Sequence, residues 1–493
     1  MNDNDVVNLS SRLAACVVPW RGKPGDDLEV FIARRAENLS FLAGFGVFPG
    51  GQVDPVDHRV SVRQAPEPAH FCSAALRELF EETGILKGVD ARPPFHERAS
   101  LRRALGTSSD AWEDFLARHG GLVATDLTPM GRWITPPFVP VSYDAQYFAL
   151  ELSSGERPEI WPGEFSDGAW YRPAVALAAH ESGALFLAYP VRETLKLLQT
   201  SATVTEAARN AHARAPHEGG EMARGIHMFP VRTYTLPPAT HTNTYLLGCE
   251  RLVIVDPASP IDDEQQRLLR YIRQLQASGA QPVEIWLTHQ HGDHVGGVEH
   301  LRRTLNLPVA AHRLTQQALG DALTVDRFIA DGEVTHLPNG DRPAPWQALL
   351  TPGHAAGHLC FYEQERGHLL SGDNVVGLGT VVVAPPEGDM SQYLASLRHM
   401  ADRPLGMLFP SHGPPIATAR QKIESYIHHR CQREATILAT LSQPLTPAEV
   451  VARVYNAIPP ANLPLAQLIV QAHLKKLLDE NRVTLHDGRY VHP

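Results

Sequence analysis

The sequence predicts an α/β multidomain protein built from two successive α/β sandwiches and a small C-terminal helical domain. Its 493 residues exceed what one ordinary core holds, which favours two or three domains. Hydrophobic residues make up 43% and charged residues 20%, a composition typical of globular proteins. Short strand-like runs alternate with helix-like stretches, and the chain after Pro415 is almost wholly helical in pattern.

Changes of pattern divide the chain into four segments. Residues 1–200 mix strand-like runs with one clear helix over residues 72–82. Residues 201–225 are rich in alanine and polar side chains without a strand pattern, which predicts a linker or a loose helix. Residues 226–418 contain apolar runs that end on histidine or aspartate, and residues 419–493 form the helical part.

Bulk properties limit the partners and the compartment. A net charge of -10 argues against nucleic-acid binding over the whole surface. The five scattered cysteines form no CxxC pair, so we expect a reducing, cytoplasmic setting. The N-terminal stretch "MNDNDVVNLSSRL" lacks the features of a signal peptide, and no apolar run approaches the ~20 residues of a membrane span. No membrane partner is therefore expected, and the oligomeric state is left open.

The first motif places three carboxylates on one helix. "FPGGQVDP" is followed by "ALRELFEETGIL", where Glu78, Glu81 and Glu82 stand at positions i, i+3 and i+4 and share a face. Like charges at that spacing repel by a few tenths of a kcal/mol per pair, roughly, unless a cation neutralises them. Mg²⁺ or Mn²⁺ suits such oxygen ligands. The alternative is a solvated acidic helix end, and the flanking "PGG" and "TG" favour the metal site.

Residues 48–85 resemble a Nudix box, and residues 13–200 resemble a whole Nudix domain. The resemblance implies an α/β/α sandwich that hydrolyses a nucleoside diphosphate linked to another group. It also implies catalytic roles for Glu81 and Glu82. The motif residues are the glycine Gly51, the helix-orienting Arg77 and the metal carboxylates Glu78, Glu81 and Glu82, and a loop carboxylate, Glu164, is either a further ligand or a surface residue.

This region departs from the family pattern in two places. Twenty-five residues separate Gly51 from Arg77, more than the motif usually has, and Ala69 occupies the position of an expected glutamate. The later stretch "WITPPFVPVSYDAQYF" resembles the coenzyme A diphosphatase branch, although Tyr143 and Gln146 stand where that branch has basic residues. Two interpretations remain open: an enzyme acting on a nucleotide or coenzyme A-type substrate, and a non-catalytic ligand-binding module.

The second motif, "LTHQHGDHVGG", crowds metal-binding side chains after a strand-like run. Alternate residues of an extended segment point the same way, so His289 and His291 can hold one ion together. Asp293 and His294 then face a neighbouring position. One zinc-type ion typically takes three protein ligands and a water, so two ions need more side chains than this turn offers. Further ligand-type residues follow other strand-like runs: His354 in "TPGHAAGH", Asp373 in "SGD" and His412 in "FPSHG".

Residues 226–418 resemble the metallo-β-lactamase fold, which implies an αββα sandwich around two Zn²⁺, or iron or manganese, that activate water for hydrolysis. The implied first-metal ligands are His289, His291 and His354, and the second-metal ligands are Asp293, His294 and His412, with Asp373 bridging and Asp293 also catalytic. Asp256 is expected to orient a ligand histidine. His358 is expected in a supporting role, with substrate contact as the alternative.

Two residues narrow the chemistry within this fold. Antibiotic-cleaving members usually carry Cys or Ser where Asp373 stands, and diiron oxygen reductases carry Glu in place of His291. The expected reaction is therefore hydrolysis of an ester, thioester or phosphodiester.

The last segment predicts a winged helix, with three helices and a hairpin. "LTPAEVVARVY" begins with Thr446 followed three residues later by Glu449, which indicates a capping box. With this domain order and the stretches "GDNVVGLGTVV" and "HHRCQRE", residues 226–493 resemble the lactamase-beta-2-like proteins. That branch includes endoribonucleases acting on single-stranded RNA and small-molecule hydrolases. Lys475 and Lys476 are candidate phosphate contacts, and a helical buttress or dimer contact is the alternative.

Overall fold

The computed structural model describes residues 11–23, 27–39, 41–89, 93–136, 141–161, 163–212, 219–340, 342–455 and 463–492. Its contacts divide the chain into two compact units, Met1–His217 and Glu218–Pro493. The strands of the first unit are β1 (Arg12–Arg21), β2 (Glu29–Arg35), β3 (Gly46–Val47), β4 (Gly50–Gln52), β5 (Val62–Arg63), β6 (Leu122–Val123), β7 (Leu127–Ile134), β8 (Tyr143–Glu151) and β9 (Phe165–Tyr171). Its α-helices are α1 (Ala69–Thr83), α2 (Phe95–Leu105), α3 (Ala111–Arg118), α4 (Pro173–Glu181), α5 (Tyr189–Thr200) and α6 (Val204–His212).

A seven-stranded mixed sheet is the centre of the first unit. Its strand order is β3-β2-β1-β8-β7, with β4 paired to β1 and β9 paired to β2. Helix α1 packs on this sheet through a buried cluster that includes Leu76 and Leu79 of the helix and Val17 of β1. The helix ends at Gly84, whose φ of 70° is the left-handed conformation that glycine adopts most readily at a helix C-terminus. The helix expected over residues 72–82 is thus confirmed and slightly longer.

The stretch 201–225, for which a linker or a loose helix was expected, contains regular structure in its described residues. It contains helix α6 and then strand β10 (Gly220–Ala223), which pairs with the next strand and belongs to the second unit. Helix α6 packs on β7, where a side chain at Gly131 would meet Ala211. The strand was not expected because this stretch has no apolar alternation, and its backbone pairs with the strand that follows it.

The second unit contains the remaining elements. Its strands after β10 are β11 (Ile226–Arg232), β12 (His241–Leu247), β13 (Arg251–Val255), β14 (Gln281–Trp286), β15 (Val309–Ala311), β16 (Arg327–Phe328), β17 (Val334–Leu337), β18 (Ala344–Leu350), β19 (Leu359–Glu363), β20 (Leu369–Gly372), β21 (Leu408–Pro410), β22 (Thr484–His486) and β23 (Arg489–Val491). Its helices are α7 (Asp262–Ala277), α8 (Gly292–Val295), α9 (Val298–Leu305), α10 (Arg313–Leu319), α11 (Met390–Ala401), α12 (Ala419–Thr440), α13 (Pro447–Val454) and α14 (Leu463–Asp479).

Two sheets of the second unit face each other. One runs β10-β11-β12-β13-β14-β15-β16 and the other runs β17-β18-β19-β20-β21. Trp286 of β14 and Phe361 of β19 meet across the interior with ring centroids 4.8 Å apart. Helices α7 and α9 share a core with the first sheet, and α11 and α12 share a core with the second. The expected αββα sandwich is confirmed.

Three helices and a hairpin complete the chain as expected. Strands β22 and β23 pair antiparallel after α12, α13 and α14. The capping box at the start of α13 is present: Glu449 N donates to Thr446 Oγ1 at 3.3 Å, and Thr446 N donates to Glu449 Oε2 at 2.7 Å. The predicted winged helix is therefore confirmed. Within the described ranges, no helix combines the length and apolar character that crossing a bilayer requires.

Candidate metal centre

Strand direction explains why distant ligand-type residues meet at one edge of the sandwich. Asp256 follows β13 and the residues 288–294 follow β14, which runs parallel to β13. His354 lies just beyond the end of β18, Asp373 beyond β20 and His412 beyond β21. Because strands that run in one direction end at one edge, the fold gathers all of these side chains there.

Three imidazole nitrogens converge in the first cluster. His289 Nε2 lies 2.9 Å from His291 Nδ1, and His354 Nε2 lies 3.3 Å and 3.0 Å from these two atoms. The opposite ring nitrogens of all three residues are engaged elsewhere. His354 Nδ1 donates to Val382 O at 2.7 Å, and His289 Nδ1 donates to Thr288 Oγ1 at 2.9 Å.

These outer hydrogen bonds fix the protonation of the cluster. A neutral imidazole carries one N–H, and here that hydrogen lies on the outward nitrogen. Burial lowers the pKa of His289 and of His354, so the neutral form is favoured in both. Three lone pairs therefore point at one another, which is repulsive unless a cation lies between them. The first cluster fits a zinc-type ion on the chemistry of its donors.

The second cluster combines histidines with carboxylates. Asp293, His294 and His412 offer ligand atoms within 4.8 Å of one another, as do His289, His294 and Asp373. Asp373 Oδ1 lies 3.4 Å from His294 Nε2 and 3.3 Å from His412 Nε2, while its Oδ2 lies 3.8 Å from His354 Nε2. Asp373 thus stands between the two clusters, the position that a bridging ligand requires.

Electrostatics of the second cluster favour a cation. Burial alone would lower the pKa of His294, but Asp373 and Asp256 raise it well above its usual range. Burial alone would raise the pKa of Asp373, but His412 and His294 hold it well below its usual range. His294 Nε2 and Asp373 Oδ1 are buried and form no hydrogen bond. Buried polar atoms without partners indicate a missing ligand, and a second metal ion satisfies both.

Asp256 forms hydrogen bonds that order the histidine turn. It lies at φ 48° directly after β13, accepts Thr288 N and Thr288 Oγ1 at 2.8 and 2.6 Å, and accepts His294 Nδ1 at 2.9 Å. The carboxylate therefore fixes the tautomer of His294 and the path of the turn. Its own side chain is fully buried, so it contacts no substrate.

His358 supports the centre without facing the ligand clusters. Asp373 N donates to His358 Nε2 at 3.1 Å, and His358 Nδ1 lies 3.0 Å from Thr351 Oγ1. Both ring nitrogens are therefore occupied by the protein, and the ring is fully buried. This geometry favours the supporting role over substrate contact.

Glu387 is a site residue that the sequence reasoning missed. Its Oε1 accepts His291 Nε2 at 3.1 Å and also accepts the side chain of Gln290. The contact completes a carboxylate–histidine pair and directs the Nδ1 lone pair of His291 into the first cluster. No motif surrounds Glu387 in "APPEGDM", and only the folded chain brings it to His291.

A cavity of about 310 Å³ lies over the two clusters. His291, Asp293, His354, Asp373 and His412 form its floor, and the loop after Asp373 forms one wall. The remaining wall is largely apolar and includes residues from three parts of the second unit: Tyr234, Leu236, Pro237, Val376, Leu378 and Leu465. No lysine or arginine is among the residues that line the cavity in the described part of the chain.

A second group of candidate residues surrounds helix α1 of the first unit. Arg77 is 2% exposed and donates from Nη2 to Asp57 Oδ2 at 2.8 Å and to Gln52 O at 2.9 Å. Asp57 is fully buried and also accepts Ser73 Oγ at 2.8 Å. Asp57 was missed because the sequence motif places the expected acid at Ala69, whereas the inserted residues before α1 bring Asp57 to Arg77 instead.

The carboxylates of α1 lie against the glycine turn. A side chain at Gly51 would approach the Glu78 carboxylate to 2.6 Å, so this glycine is needed for the close approach. Gly50 N donates to Glu82 Oε2 at 2.8 Å, and Glu82 Oε1 is buried without a hydrogen bond. Burial raises the pKa of Glu78 to about 8 and the pKa of Glu82 well above its usual range.

The carboxylate oxygens of the three glutamates of α1 do not meet at one point. Among the described residues, Glu78, Glu81 and Glu82 do not form a group whose ligand atoms lie within 4.8 Å of one another. Glu78 Oε1 turns toward Arg77 Nη1 at 2.8 Å, and the half-exposed Glu164 pairs with Arg35 at 2.6 Å. Glu164 nevertheless raises the pKa of Glu82, after burial and Glu78, so it lies within electrostatic reach of the group.

The two candidate phosphate contacts of α14 are engaged in ion pairs. Lys476 is 11% exposed and its Nζ lies 2.8 Å from Glu434 and 2.9 Å from Glu480. Lys475 is about half exposed and pairs with Asp479 at 2.5 Å and Asp389 at 3.5 Å. Lys476 thus lies in an internal charge network between α12 and α14, whereas Lys475 stays about half exposed.

Comparisons with known proteins match the second unit. A family model described as the metallo-beta-lactamase superfamily matches residues 237–412, and one described as the beta-lactamase associated winged helix domain matches residues 446–489. Lactamase-like protein adaB of Aspergillus niger is 35% identical over 205 residues, which are 41% of this chain and 59% of that protein. The beta-lactamase-like protein 2 homolog of Caenorhabditis elegans is 31% identical over 251 residues, 49% of this chain and 80% of that protein.

Two solved structures similar to this chain are of interest here. A beta-lactamase domain protein from Burkholderia ambifaria covers 57% of this chain and 96% of its own, with 20% identity and a TM-score of 0.50. A NUDIX hydrolase from Alicyclobacillus acidocaldarius covers 42% of this chain and 98% of its own, with 28% identity and a TM-score of 0.37. The first supports the sandwich fold of the second unit.

Proposed function

The chain belongs to the metallo-beta-lactamase superfamily, and from this premise we propose that its second unit hydrolyses a neutral ester or thioester at a centre of two metal ions. The observation that carries the proposal is the character of the cavity over the metal-ligating residues. Apart from the metal-ligating residues, Glu387 and two threonines, its described lining consists of apolar residues and glycine, and it contains no lysine or arginine. Such a cavity suits an uncharged carbonyl compound with an apolar acyl group.

In this cavity a phosphodiester would depend on the two metal ions alone for positive charge, because the described lining offers no lysine or arginine. Proteins that bind phosphates neutralise them with Lys, Arg, helix N-termini or extra cations. Here Asp293 and Glu387 add negative charge at the cavity floor and rim. Lys475 and Lys476, the candidate phosphate contacts of α14, form ion pairs with carboxylates of the protein. We therefore rank single-stranded RNA below a carbonyl substrate and retain it as an outcome of the test.

The chain's own residues prepare the centre for hydrolysis. Two divalent ions bound there supply Lewis acidity and lower the pKa of a water toward 7, roughly. His289, His291 and His354 present unprotonated nitrogens because their outward nitrogens donate to fixed acceptors. We assign Asp293 to hold the attacking water by accepting its hydrogen, since this carboxylate lines the cavity and lies 3.6 Å from His412 Nε2.

The apolar wall is expected to bind the acyl group. Tyr234 and Leu236 are 83% and 57% exposed, unusually high for large apolar side chains, and both line the cavity mouth. Covering them with substrate removes apolar surface from water, and each fully buried methylene contributes about 0.8 kcal/mol, or about four-fold in affinity. Selectivity should therefore rise with acyl length.

We expect kcat/KM for acyl thioesters of N-acetylcysteamine to rise about ten-fold or more from acetyl to hexanoyl, because the added methylenes become partly buried. In the Leu236→Ser variant the rise should shrink about three-fold while acetyl turnover stays unchanged. Initial-rate measurements on the zinc-loaded chain check this. Leu485→Ser, a half-exposed leucine of the terminal hairpin, is the matched control and should behave as wild type.

The same assay separates the candidate substrates. A chromogenic phosphodiester and single-stranded RNA are offered to the same preparation at matched concentration. Turnover of RNA without thioester or ester turnover would contradict the carbonyl proposal and favour the ribonuclease. Equal turnover of all acyl lengths would remove the proposed role of the apolar wall.

For the first unit we propose a Nudix-type hydrolase that cleaves a nucleoside diphosphate linked to another group, including coenzyme A-type compounds. One support is the buried ion pair of Arg77 with Asp57, which holds α1 against the glycine turn. The other is the pair of buried carboxylates of Glu78 and Glu82, whose negative charges a bound cation would neutralise. A hard cation such as Mg²⁺ or Mn²⁺ suits Glu78, Glu81 and Glu82, with Glu164 as a further candidate. A module that only binds ligand has less need of this group.

Glu82→Gln is expected to lower diphosphate hydrolysis by at least about 10²-fold, because the substitution removes a charge from the carboxylate group and a proton acceptor from the site. Release of nucleoside monophosphate in the presence of Mg²⁺ is the measurement. Glu113→Gln, which alters only a surface ion pair with Arg59, is the control. Absence of any diphosphate cleavage by the wild type with Mg²⁺ or Mn²⁺ would instead support the non-catalytic ligand-binding module.

A further inference from the structure

The loop that follows Asp373 connects the two halves of the candidate metal centre. This segment, residues 375–384 with the sequence "VVGLGTVVVA", is called here the 375–384 loop. Its Val382 O accepts His354 Nδ1 at 2.7 Å and so orients a residue of the first cluster. Its Gly377 N and Leu378 N donate to His412 O at 2.7 and 3.2 Å and so fix the backbone of a residue of the second cluster.

Helix α12 holds this loop from the outside of the sandwich. Tyr426 donates its hydroxyl to Val376 O at 3.1 Å, and Arg430 Nη2 donates to Val381 O at 2.5 Å. The two side chains lie one turn apart on the same face of the helix, and their acceptors lie near the two ends of the loop. The loop is therefore pinned to α12 on either side of its turn at Gly379.

The 375–384 loop and helix α12 share one buried core. Val376, Val381 and Val383 of the loop share a buried core cluster with Ala419 and Ile423 of α12, and Ala472 of α14 joins the same cluster. Arg430 is 2% exposed although its charge would favour water. Its guanidinium lies 5.5 Å from the ring centroid of Tyr393, whose hydroxyl donates to Asn374 O at 2.7 Å.

The C-terminal helices also reach the cavity itself. Leu465 at the start of α14 is one of the wall residues, and Lys475 of the same helix pairs at 3.5 Å with Asp389, which caps α11. A nucleic-acid-binding appendage needs none of these contacts. A structural support for the metal centre accounts for them.

We propose that helix α12 is part of the scaffold of the metal centre, with Arg430 and Tyr426 as positioning residues that set the 375–384 loop and, through it, His354 and His412. The inference rests on the metal centre of the proposed function but not on its substrate. Supporting groups outside the ligand set typically change metal affinity by about 10–100-fold, because they hold ligands in the required tautomer and direction. The C-terminal helices thus contribute to metal binding without contacting the metal.

Zinc binding by the full-length chain tests the proposal without any substrate. Each variant is stripped of metal and titrated with Zn²⁺ in competition with a chromogenic chelator. Arg430→Met should weaken at least one Zn²⁺ by about ten-fold or more, and Arg430→Lys should restore part of the affinity. Arg433→Met is the matched control, because that guanidinium lies on the same helix over the ring of Tyr455, 4.2 Å from its centroid. The first unit is unchanged in every variant, so any difference in Zn²⁺ affinity between variants arises in the second unit.

A purely structural role predicts a different result. If the melting temperature of Arg430→Met falls while both zinc affinities equal those of the wild type, the proposal is overturned. Should Arg430→Met fail to fold, Tyr426→Phe decides, because it removes only the hydroxyl that binds Val376 O. We expect that variant to weaken zinc about three-fold or more, and wild-type zinc affinity in it would overturn the proposal. Loss of thioester hydrolysis alone has no bearing, since the readout is metal binding.

Discussion

Replacing Asp373 with alanine is expected to lower thioester hydrolysis by at least about 10³-fold, the largest effect on activity in the second unit. Asp373 lies within 3.4 Å of His294 Nε2 and His412 Nε2, and its other oxygen faces His354. Its removal deletes the one carboxylate placed between both clusters. We expect the bound zinc to fall from two ions per second unit to one or none, measured by elemental analysis alongside initial rates.

The electrostatics of the cluster explain why this substitution should act through metal. Burial alone would lower the pKa of His294 and of His412, and the Asp373 carboxylate is the strongest influence that raises both. Without it, the buried imidazoles lose the charge that makes this position attractive to a cation. The control is Asp321→Ala, which alters an exposed aspartate in the loop after α10. Full hydrolysis by Asp373→Ala with two bound ions would remove the bridging assignment.

Several parts of the candidate site could be predicted from the sequence because they are encoded locally. His289 and His291 alternate on an extended segment, and His354, Asp373 and His412 each follow an apolar run that becomes a strand. Strand direction then determines that these residues meet. Asp256 was predictable for the same reason, since it ends the strand beside the histidine turn.

Other parts depend on contacts between segments that no local pattern relates. Glu387 reaches His291 across 96 residues of sequence, and Arg430 supports a loop 49 residues away. In the sequence, Arg430 is one of several charges on an amphipathic helix, and only the packing of α12 buries it. Lys476 is an example of the opposite kind. The sequence makes it a candidate phosphate contact on a predicted recognition helix, but in the fold it forms an ion pair with Glu434.

The second large effect concerns stability: Asp57→Ala should lower the free energy of unfolding of the first unit by about 3–5 kcal/mol. The Arg77 guanidinium is 2% exposed, and Asp57, fully buried, accepts its Nε and Nη2 groups, Ser73 Oγ and Asp54 N. Removing the carboxylate leaves a buried cation without its principal counter-charge and leaves buried donors without acceptors. Urea denaturation followed by tryptophan fluorescence measures this, because Trp112 Nε1 donates to Ser73 at 3.2 Å.

A double substitution distinguishes the loss of this pair from a general packing defect. Arg77→Met in the Asp57→Ala background removes the unpaired charge, so the doubly substituted protein should be more stable than Asp57→Ala alone. Asp110→Ala, which breaks only the solvent-exposed pair with Arg59, should lower the free energy of unfolding far less than Asp57→Ala does. Equal losses for Asp57→Ala and Asp110→Ala would show that the buried pair does not hold α1. The carboxylates of α1 would then owe their position against the glycine turn to apolar packing alone.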